Sequence, residues 1–357
     1  MKILISSHLF HPSVGGIESV SLMLADQFCA LGHEVRVVTE THEHGDRTLP
    51  FEVLRRPSCL DLCQAVSWCD LYFHNNISLR SAWPLLLVRR PWVVAHHTWM
   101  ARPDGALGWQ DRLKRFLLRF ASSISISQAI ADSLPVPSVI LPDPYQDEVF
   151  RVVPGTRREK ELIFVGRLVP DKGADVLIEA LGRLKQGGLG PELTLVGDGP
   201  ELMNLQTLAV RAGVRDQITF LGRKTGVELA ALLNRHQILV VPSRWQEPFG
   251  IVALEGIACG CAVVGSHGGG LKDAIGPCGV TFPNGDGSAL AAILSDLLSA
   301  PEKLVRYREH AGPHLQPHQR RTVARAYLRT MEAAMSAERQ EAGQPVGGAV
   351  ASDAAKR

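Results

Sequence analysis

The sequence lacks the features that mark zinc-binding, secreted or membrane-spanning proteins. It has seven cysteines but no C-x-x-C pair, which argues against a zinc site. No apolar stretch with a small-residue cleavage site follows the first residues, and no apolar run approaches the ~18 residues of a membrane span. We therefore expect a cytoplasmic protein whose cysteines are reduced and mostly buried.

Charge imbalance and the common nucleotide-binding motifs are also missing. The formal net charge is only +2, whereas a nucleic-acid-binding domain would carry a basic stripe, so no nucleic-acid partner is expected. Neither G-x-G-x-x-G nor G-x-x-x-x-G-K-[ST] occurs, which argues against a dinucleotide-dependent oxidoreductase and a P-loop. No two aspartates lie two residues apart, so no D-x-D metal site is visible.

The chain has instead a regular alternation of short apolar runs and amphipathic segments. Runs such as "KILISSH", "EVRVVTE", "ELIFVGRL" and "ILVVPS" predict strands of parallel sheets, joined by helices. A proline-containing region at 139–161 interrupts this rhythm and indicates a linker. We expect two Rossmann-like, doubly wound α/β domains, at 1–155 and 156–315, facing each other across a cleft. A C-terminal helix at 316–335 should pack back towards the first domain, and 336–357 should be a disordered tail.

One stretch, "SRWQEPFGIVALEG", places two glutamates around a predicted helix start. The run before it is a predicted strand, and Pro248 and Gly250 suit the first turn of the following helix. Backbone N–H groups near Gly250 and Ile251 would form an anion site. The carboxylates of Glu247 and Glu255 could accept hydrogen bonds from sugar hydroxyl groups. Either glutamate alone would be an ordinary helix-end or surface residue.

Two cations and two glycines lie at other predicted strand ends. Arg167 and Lys172, in "FVGRLVPDKG", follow a strand, and paired cations suit a diphosphate. Gly15 and Gly16, in "HPSVGGIES", join the first strand to the first helix, where glycine lets a ligand approach the backbone. Each motif alone would be no more than a charged loop or a turn.

A pair of histidines, His96 and His97, ends the predicted strand "VVAHHTW". One of them should face the cleft and the other should lie in packing. We expect His96 to be the structural member of the pair.

Together these elements resemble the retaining GT-B-fold glycosyltransferases of family 4 over nearly the whole chain. "EPFGIVALEG" matches the family's two glutamates separated by seven residues, and "GRLVPDKG" matches its Gly-Arg…Lys-Gly element. "GGIE" and "LGHEVRVVT" match its N-terminal loop and second strand. "VGDGP" and "GGLKD" are also similar, with Asp273 where the family often has Glu.

The resemblance implies a retaining hexosyltransferase that acts in glycan or glycoconjugate biosynthesis. Its donor would be a UDP- or GDP-sugar, its acceptor a hydroxyl group of a glycan, a lipid-linked compound or a small molecule, and it would need no cofactor and no metal. The acceptor would bind to the first domain and the donor to the second. In such enzymes the acceptor attacks beside the departing phosphate, which takes its proton.

The resemblance also assigns a role to each matched residue. Arg167 and Lys172 would bind the diphosphate and stabilise it as the leaving group. Gly16 would let the N-terminal loop close over the diphosphate, and Glu255 would hold the ribose hydroxyls. His97 would contact the donor sugar near its anomeric carbon. The implied catalytic residues are His97, Arg167, Lys172 and Glu247, and the implied donor-binding residues are Gly15, Gly16, Gly250, Ile251 and Glu255.

The segment "DRLKRFLLRF", residues 111–120, is strongly amphipathic. Its leucines and phenylalanines share one helix face and its arginines share another. A packed helix with a solvated basic face is the simpler interpretation. The segment is also a candidate for peripheral contact with the inner face of a membrane.

Two other functions fit the same architecture. A non-hydrolysing sugar-nucleotide epimerase of GT-B fold would need no acceptor, and would isomerise the nucleotide sugar alone. A sugar-nucleotide-binding partner without activity is a third hypothesis, against which the intact charged motifs argue.

Overall fold

The computed structural model describes residues 1–13, 15–43, 47–100 and 108–343. Within them the chain forms a seven-stranded and a six-stranded parallel sheet. Successive residues of a strand enter different apolar clusters, since Ile3 and Ile5 pack in one cluster and Leu4 in another. Leu162 and Ile163 alternate in the same way in the second sheet. Each sheet is therefore covered on both faces, which confirms the predicted pair of α/β domains.

The first sheet is built from the N-terminal part of the chain. Its strands are β1 (Lys2–Ser7), β2 (Glu34–Thr39), β3 (Glu52–Arg55), β4 (Leu71–Asn75), β5 (Trp92–His96), β6 (Ser122–Ser125) and β7 (Ser138–Ile140). The helices around it are α1 (Gly16–Ala30), α2 (Cys59–Trp68), α3 (Leu79–Ala82), α4 (Trp109–Leu117) and α5 (Gln128–Ser133), with 3₁₀ turns at Trp83–Leu86 and Leu118–Phe120. The strand order is β3-β2-β1-β4-β5-β6-β7, so the winding direction reverses between β1 and β4.

The second sheet follows the linker. Its strands are β8 (Lys160–Val165), β9 (Leu193–Val196), β10 (Ile218–Phe220), β11 (His236–Val241), β12 (Ala262–Ser266) and β13 (Gly279–Phe282). Its helices are α6 (Ala174–Gln186), α7 (Leu202–Arg211), α8 (Gly226–Arg235), α9 (Ile251–Ala258), α10 (Leu271–Ile275), α11 (Gly287–Ser299), α12 (Pro301–Glu309) and α13 (Ala311–Leu315), with 3₁₀ turns at Pro170–Lys172, Arg215–Gln217, Gly276–Cys278 and Gln316–His318. The order β10-β9-β8-β11-β12-β13 reverses direction between β8 and β11.

The linker is shorter than the sequence indicates. Its predicted first residues belong to β7, which pairs with β6 as the edge strand of the first sheet. The prolines that follow β7 hid this three-residue strand, because a run so short carries little periodicity. Tyr145 and Phe150 already pack into an apolar cluster of the second domain.

The last helix, α14 (Arg320–Gly343), returns to the first domain. Its buried side chains include Val323, Tyr327 and Met331, which pack with α1 and the first sheet. Tyr327 meets Phe73 of β4 edge to face, with ring centroids 5.8 Å apart. The helix ends later than predicted, because residues 336–343 continue it; the rest of the expected tail, 344–357, lies outside the described residues.

Within the described part of the chain, none of the helices is long and apolar enough to cross a membrane.

If α14 completes the first domain's core, Met331→Ala should lower that domain's free energy of unfolding by about 2–5 kcal/mol, because the fully buried side chain leaves a cavity. Met335→Ala, at a half-buried position on the same helix, should cost less. Urea denaturation followed by tryptophan fluorescence measures this, since five of the six tryptophans precede residue 110. Equal losses in both variants would contradict the packing described for α14.

Candidate active site

The sequence-predicted residues follow the strands at which each sheet changes direction. In open α/β sheets, ligands bind beyond the carboxyl ends of the strands at this point. Gly15 and Gly16 follow β1, Arg167 and Lys172 follow β8, and Glu247 follows β11. Strands β8 and β11 are paired neighbours in parallel register, so their following loops begin side by side.

Two helix N-termini, one from each domain, meet in the cleft. Gly16 opens α1, and a β-carbon placed on it would find Ile251 Cδ1, at 3.9 Å, as its nearest neighbour. Ile251 opens α9 and packs partly against the apolar clusters of both domains. Because the first N–H groups of a helix lack intrahelical partners, this region offers donors for an anion from both sides.

Gly15 and Gly16 differ in the room around them. The carboxylate of Glu18, in the first turn of α1, lies against Gly15, so a β-carbon there would require that side chain to move. Gly16 is exposed, and a β-carbon there would make only van der Waals contact with Ile251. Gly16 is therefore the position where a ligand could approach the backbone closely.

Glu247 is held by two donors on one oxygen. Lys172 Nζ lies 2.6 Å from Glu247 Oε1, and Ser243 Oγ donates to the same oxygen at 2.6 Å. The residue is only 8% exposed, so the buried carboxylate depends on these partners. Oε2 makes no hydrogen bond within the described residues and is left for another donor.

The loops of Lys172 and Glu247 are tied together through their backbones. The amides of Arg244 and Trp245 both donate to the Asp171 carbonyl, at 2.9 and 3.2 Å. Gly173, with φ of 66°, packs so closely on the Pro242 carbonyl that a β-carbon would collide with it. The geometry of the Lys172–Glu247 pair is thus set by main-chain contacts and not by the two side chains alone.

Gly250 occupies the tight turn that precedes α9. Its φ is 114°, in the region that favours glycine, and a β-carbon would lie 2.6 Å from Leu271 Cδ1. The chain can therefore turn sharply between Glu247 and α9. This turn places the Ile251 amide in the first turn of the helix.

The carboxyl group of Glu255 makes no hydrogen bond or ion pair within the described residues. It lies in the second turn of α9 and is half-buried. Burial withdraws its carboxyl group from water and raises its pKa to about 8. Such a group would hydrogen-bond readily to hydroxyl groups that enter beside it.

Arg167 is exposed beyond β8 and forms no ion pair within the described residues. Its backbone is nevertheless fixed, because the Leu168 amide donates to the Asp198 carbonyl at 2.8 Å. The guanidinium is therefore a free cation on an anchored loop, at the same sheet edge as Lys172.

Both histidines are buried, and His96 Nε2 lies 3.3 Å from Ser123 Oγ, as expected for a structural histidine. His97 is buried in packing, with its Nδ1 2.9 Å from Asp143 Oδ1 in a geometry that forms no hydrogen bond. His96 lines a cavity, and burial lowers its pKa to about 3, which keeps the imidazole neutral. A β-strand alternates its side chains, but which histidine faces the cleft depends on packing that the sequence does not reveal. Contact of His97 with a donor sugar stays a prediction.

A cavity of about 400 Å³ lies in the first domain beyond β5. Its walls include Asn76, His96, Trp99, Trp109 and Asp111. Trp99 also reaches the second domain, because its Nε1 donates to the Gln246 carbonyl at 2.8 Å. The cavity therefore lies next to the segment that carries Glu247.

Sequence reasoning missed the polar residues that brace the site. The Asn284 side chain accepts a hydrogen bond from the Gly268 amide at 2.7 Å and donates one to the Ser243 carbonyl at 3.1 Å. It therefore joins two loops of the second domain. Ser127 of the first domain donates to the Pro248 carbonyl at 2.7 Å. An Asn-Gly pair and a helix-capping serine are ordinary turn residues, so no local signal distinguishes them.

Residues 146–312 match the family model described as Glycosyl transferases group 1. The second domain is a group 1 glycosyltransferase domain. The match confirms the resemblance carried by the motifs, is consistent with family 4, and contains Arg167, Lys172, Glu247 and Glu255.

Two curated relatives each match about half of this chain. Glycogen synthase of Mycobacterium tuberculosis is 38% identical over 183 residues, which are 50% of this chain and 44% of that protein. A GDP-mannose-dependent phosphatidylinositol monomannoside mannosyltransferase of Mycolicibacterium smegmatis is 33% identical over 197 residues, 52% of this chain and 51% of that protein. The chain thus spans about half the length of the curated relatives that it matches.

Solved structures share the fold over most of the chain. Anabaena HepE, solved with UDP and glucose, has a TM-score of 0.77 at 21% identity, covering 93% of this chain and all of that one. Sucrose-phosphate synthase of Thermosynechococcus elongatus has a TM-score of 0.78 at 19% identity, covering 94% and 99%. These similarities confirm the predicted GT-B fold.

If Glu255 holds its proton in the folded protein up to pH ~8, Glu255→Gln should stabilise the protein increasingly as the pH rises from ~4.5 to ~8. The unfolded carboxyl group ionises through the lower part of this window while the folded one does not, so wild-type stability falls with pH. Thermal denaturation across the window measures the difference. Glu302→Gln, at an exposed site on α12, serves as the control, and a Glu255→Gln gain that is constant with pH would contradict the assigned pKa.

Proposed function

We propose that the protein is a retaining, metal-independent hexosyltransferase that moves a sugar from a UDP- or GDP-sugar to a hydroxyl acceptor. One observation carries the proposal: the N-termini of α1 and α9 face each other across the cleft at the ends of the switch-point strands. A nucleotide diphosphate fits such a place, because it brings two phosphates that both helix ends can bind.

The diphosphate would be met by helix-end amides and by two cations. Arg167 can grip an oxygen pair with its planar fork, whereas Lys172 provides a point charge. As the sugar leaves, negative charge grows on the phosphate, and preorganised cations and dipoles stabilise that charge most in the transition state. Within the described residues no group of three His, Cys, Asp or Glu could hold a metal ion, so these elements are proposed to balance the charge.

Glu247 and Glu255 would orient the donor. The unoccupied Oε2 of Glu247 is proposed to accept a hydrogen bond from a sugar hydroxyl, while Lys172 and Ser243 hold Oε1. Glu255, without a protein partner in the described residues, is proposed to bind the ribose hydroxyls. In this arrangement Lys172 contributes twice, to the diphosphate and to the position of Glu247.

The acceptor is proposed to enter the cavity of the first domain. Trp99 and Trp109 supply broad apolar surfaces there, and Asp111 supplies a carboxylate. Closure of the domains over both substrates would exclude water, which otherwise competes with the acceptor hydroxyl.

The donor base is left open between uracil and guanine. One curated relative is named as GDP-mannose-dependent, and one structural neighbour was solved with UDP, so both diphosphates have support. A thermal-shift panel of UDP, GDP and their sugars would decide, because a ligand that binds only the folded state at 100 times its Kd adds about 2.7 kcal/mol of stability. Absence of any shift, with transfer also undetectable, would contradict the proposal.

Arg167→Ala should lower transfer by about 10²–10³-fold while leaving stability unchanged, because Arg167 supports the leaving group and has no ion pair in the described structure. Arg223→Ala is the matched control, since Arg223 is also exposed and follows β10 at the same sheet edge. Both are assayed by release of nucleoside diphosphate, with EDTA present. Wild-type turnover in Arg167→Ala would contradict the assigned role, and activity restored only by magnesium would contradict metal independence.

Gly16→Ala should weaken donor binding at least tenfold without lowering the melting temperature. The free protein has room for the methyl group, whose nearest neighbour would be 3.9 Å away, whereas a diphosphate at this helix end would need that space. Titration with the nucleotide diphosphate found in the thermal-shift panel measures the effect. Unchanged affinity would mean that the ligand does not approach α1.

A further inference from the structure

Helix α4 turns its apolar side chains outward. None of its residues is buried, and the exposed fractions of Phe116 and Phe120 are 52% and 68%. Arg115, on the polar face, is half-buried and donates to the Ser133 carbonyl. Leu117 and Leu118 pack against an apolar cluster of the first domain, so residues 111–120 are packed through these leucines while both phenylalanines face outward.

The exposed apolar surface continues beyond α4. Leu86 and Leu87, after α3, are 80% and 73% exposed. Leu86 lines a groove of about 1110 Å³ that α4 also borders, together with Trp83, Trp92 and residues of α14. We call this surface, formed by Leu86, Leu87, Leu113, Phe116 and Phe120, the α4 face. Contiguous apolar surface of this kind marks a place of interaction.

The charge around the α4 face is mostly positive. Arg89, Arg90 and Arg119 line the groove together with the acidic Glu338. Arg112, Lys114 and Arg115 lie on α4 itself, as does the acidic Asp111. Arg89 forms an ion pair with Glu338, and the Asp111 carboxylate accepts a hydrogen bond from the Gly108 amide. Arg112, Lys114 and Arg119 form no ion pair within the described residues. Their charges are therefore available to an anionic partner.

We propose that the α4 face docks on an anionic lipid bilayer. Phenylalanine and leucine side chains would enter the boundary between headgroups and acyl chains, while the arginines meet the lipid phosphates. One helix would then serve two sites, because Trp109, Asp111 and Lys114 at its N-terminal end line the first domain's cavity, whereas Leu113, Phe116 and Leu117 line the groove. This inference concerns a surface and does not depend on the proposed transfer reaction.

Sedimentation with vesicles tests the docking without any sugar donor. Wild-type protein should bind vesicles that contain phosphatidylglycerol, and bind pure phosphatidylcholine much more weakly. Binding should be stronger at ~0.01 M salt, where charges act over ~30 Å, than at ~1 M, where they act over ~3 Å. Wild-type protein that stays in the supernatant with anionic vesicles at low salt would overturn the proposal.

Paired variants separate the apolar and the charged contributions. Phe116→Ser with Phe120→Ser should weaken binding at least tenfold, and Arg112→Gln with Arg119→Gln should weaken it roughly fivefold per charge at low salt. The matched control is Met203→Ser with Val210→Ser on α7, which removes similarly exposed apolar side chains from the other domain. Equal losses in the control would overturn the assignment to the α4 face.

Misfolding and self-association are distinguished from lipid docking by two further measurements. Far-ultraviolet circular dichroism and the nucleotide thermal shift should be unchanged in every variant, because no altered side chain lies among the donor-site residues. A wild type that is dimeric in solution, and that the phenylalanine variant converts to a monomer, would identify a second copy as the occupant and overturn the lipid assignment. Failure of vesicle binding with an intact nucleotide shift would overturn the docking and leave the proposed function standing.

Discussion

The carbonyl of Asp171 joins the two loops on which the candidate site depends. It accepts hydrogen bonds from the backbone amides of both Arg244 and Trp245. The loop after β8 and the loop after β11 therefore cannot shift independently. The close packing of Gly173 on Pro242 adds a steric constraint at the same point. The parallel pairing of β8 with β11 therefore determines where the side chains of these loops lie. A cation and a carboxylate that are prearranged in this way need little reorganisation when charge develops on a ligand.

The elements that sequence predicts well are those whose function depends on local chemistry. The glycine at position 250 is required by a backbone angle, and the strand-end cations follow from where the apolar runs stop. The alternation of apolar runs and helices is sufficient to predict two parallel sheets, because burial on both faces imposes it. The order of these motifs along the chain also carries the family resemblance.

The features that sequence does not predict depend on contacts between distant segments. The polar neighbours of His96 and His97, Ser123 and Asp143, lie on other segments of the chain. The support that Asn284 gives to the loop at Ser243 joins residues 41 positions apart in the chain. The outward direction of α4's apolar side chains also depends on distant segments. The amphipathic pattern of α4 is visible in the sequence, but the direction of its apolar face depends on which surface the rest of the domain leaves uncovered.

The chain passes between the domains twice, and the two connecting segments contact each other where α14 returns to the first domain. Tyr145 bridges Gln319, and Arg320 pairs with Asp147 and Glu148, so the outgoing and returning segments run side by side. Synthesis on the ribosome proceeds from the N-terminus, and domains generally fold as they emerge. Here the seven-stranded domain emerges before α14, and would have an open flank over α1 until that helix supplies Val323, Tyr327 and Met331. The second domain would be finished before the first.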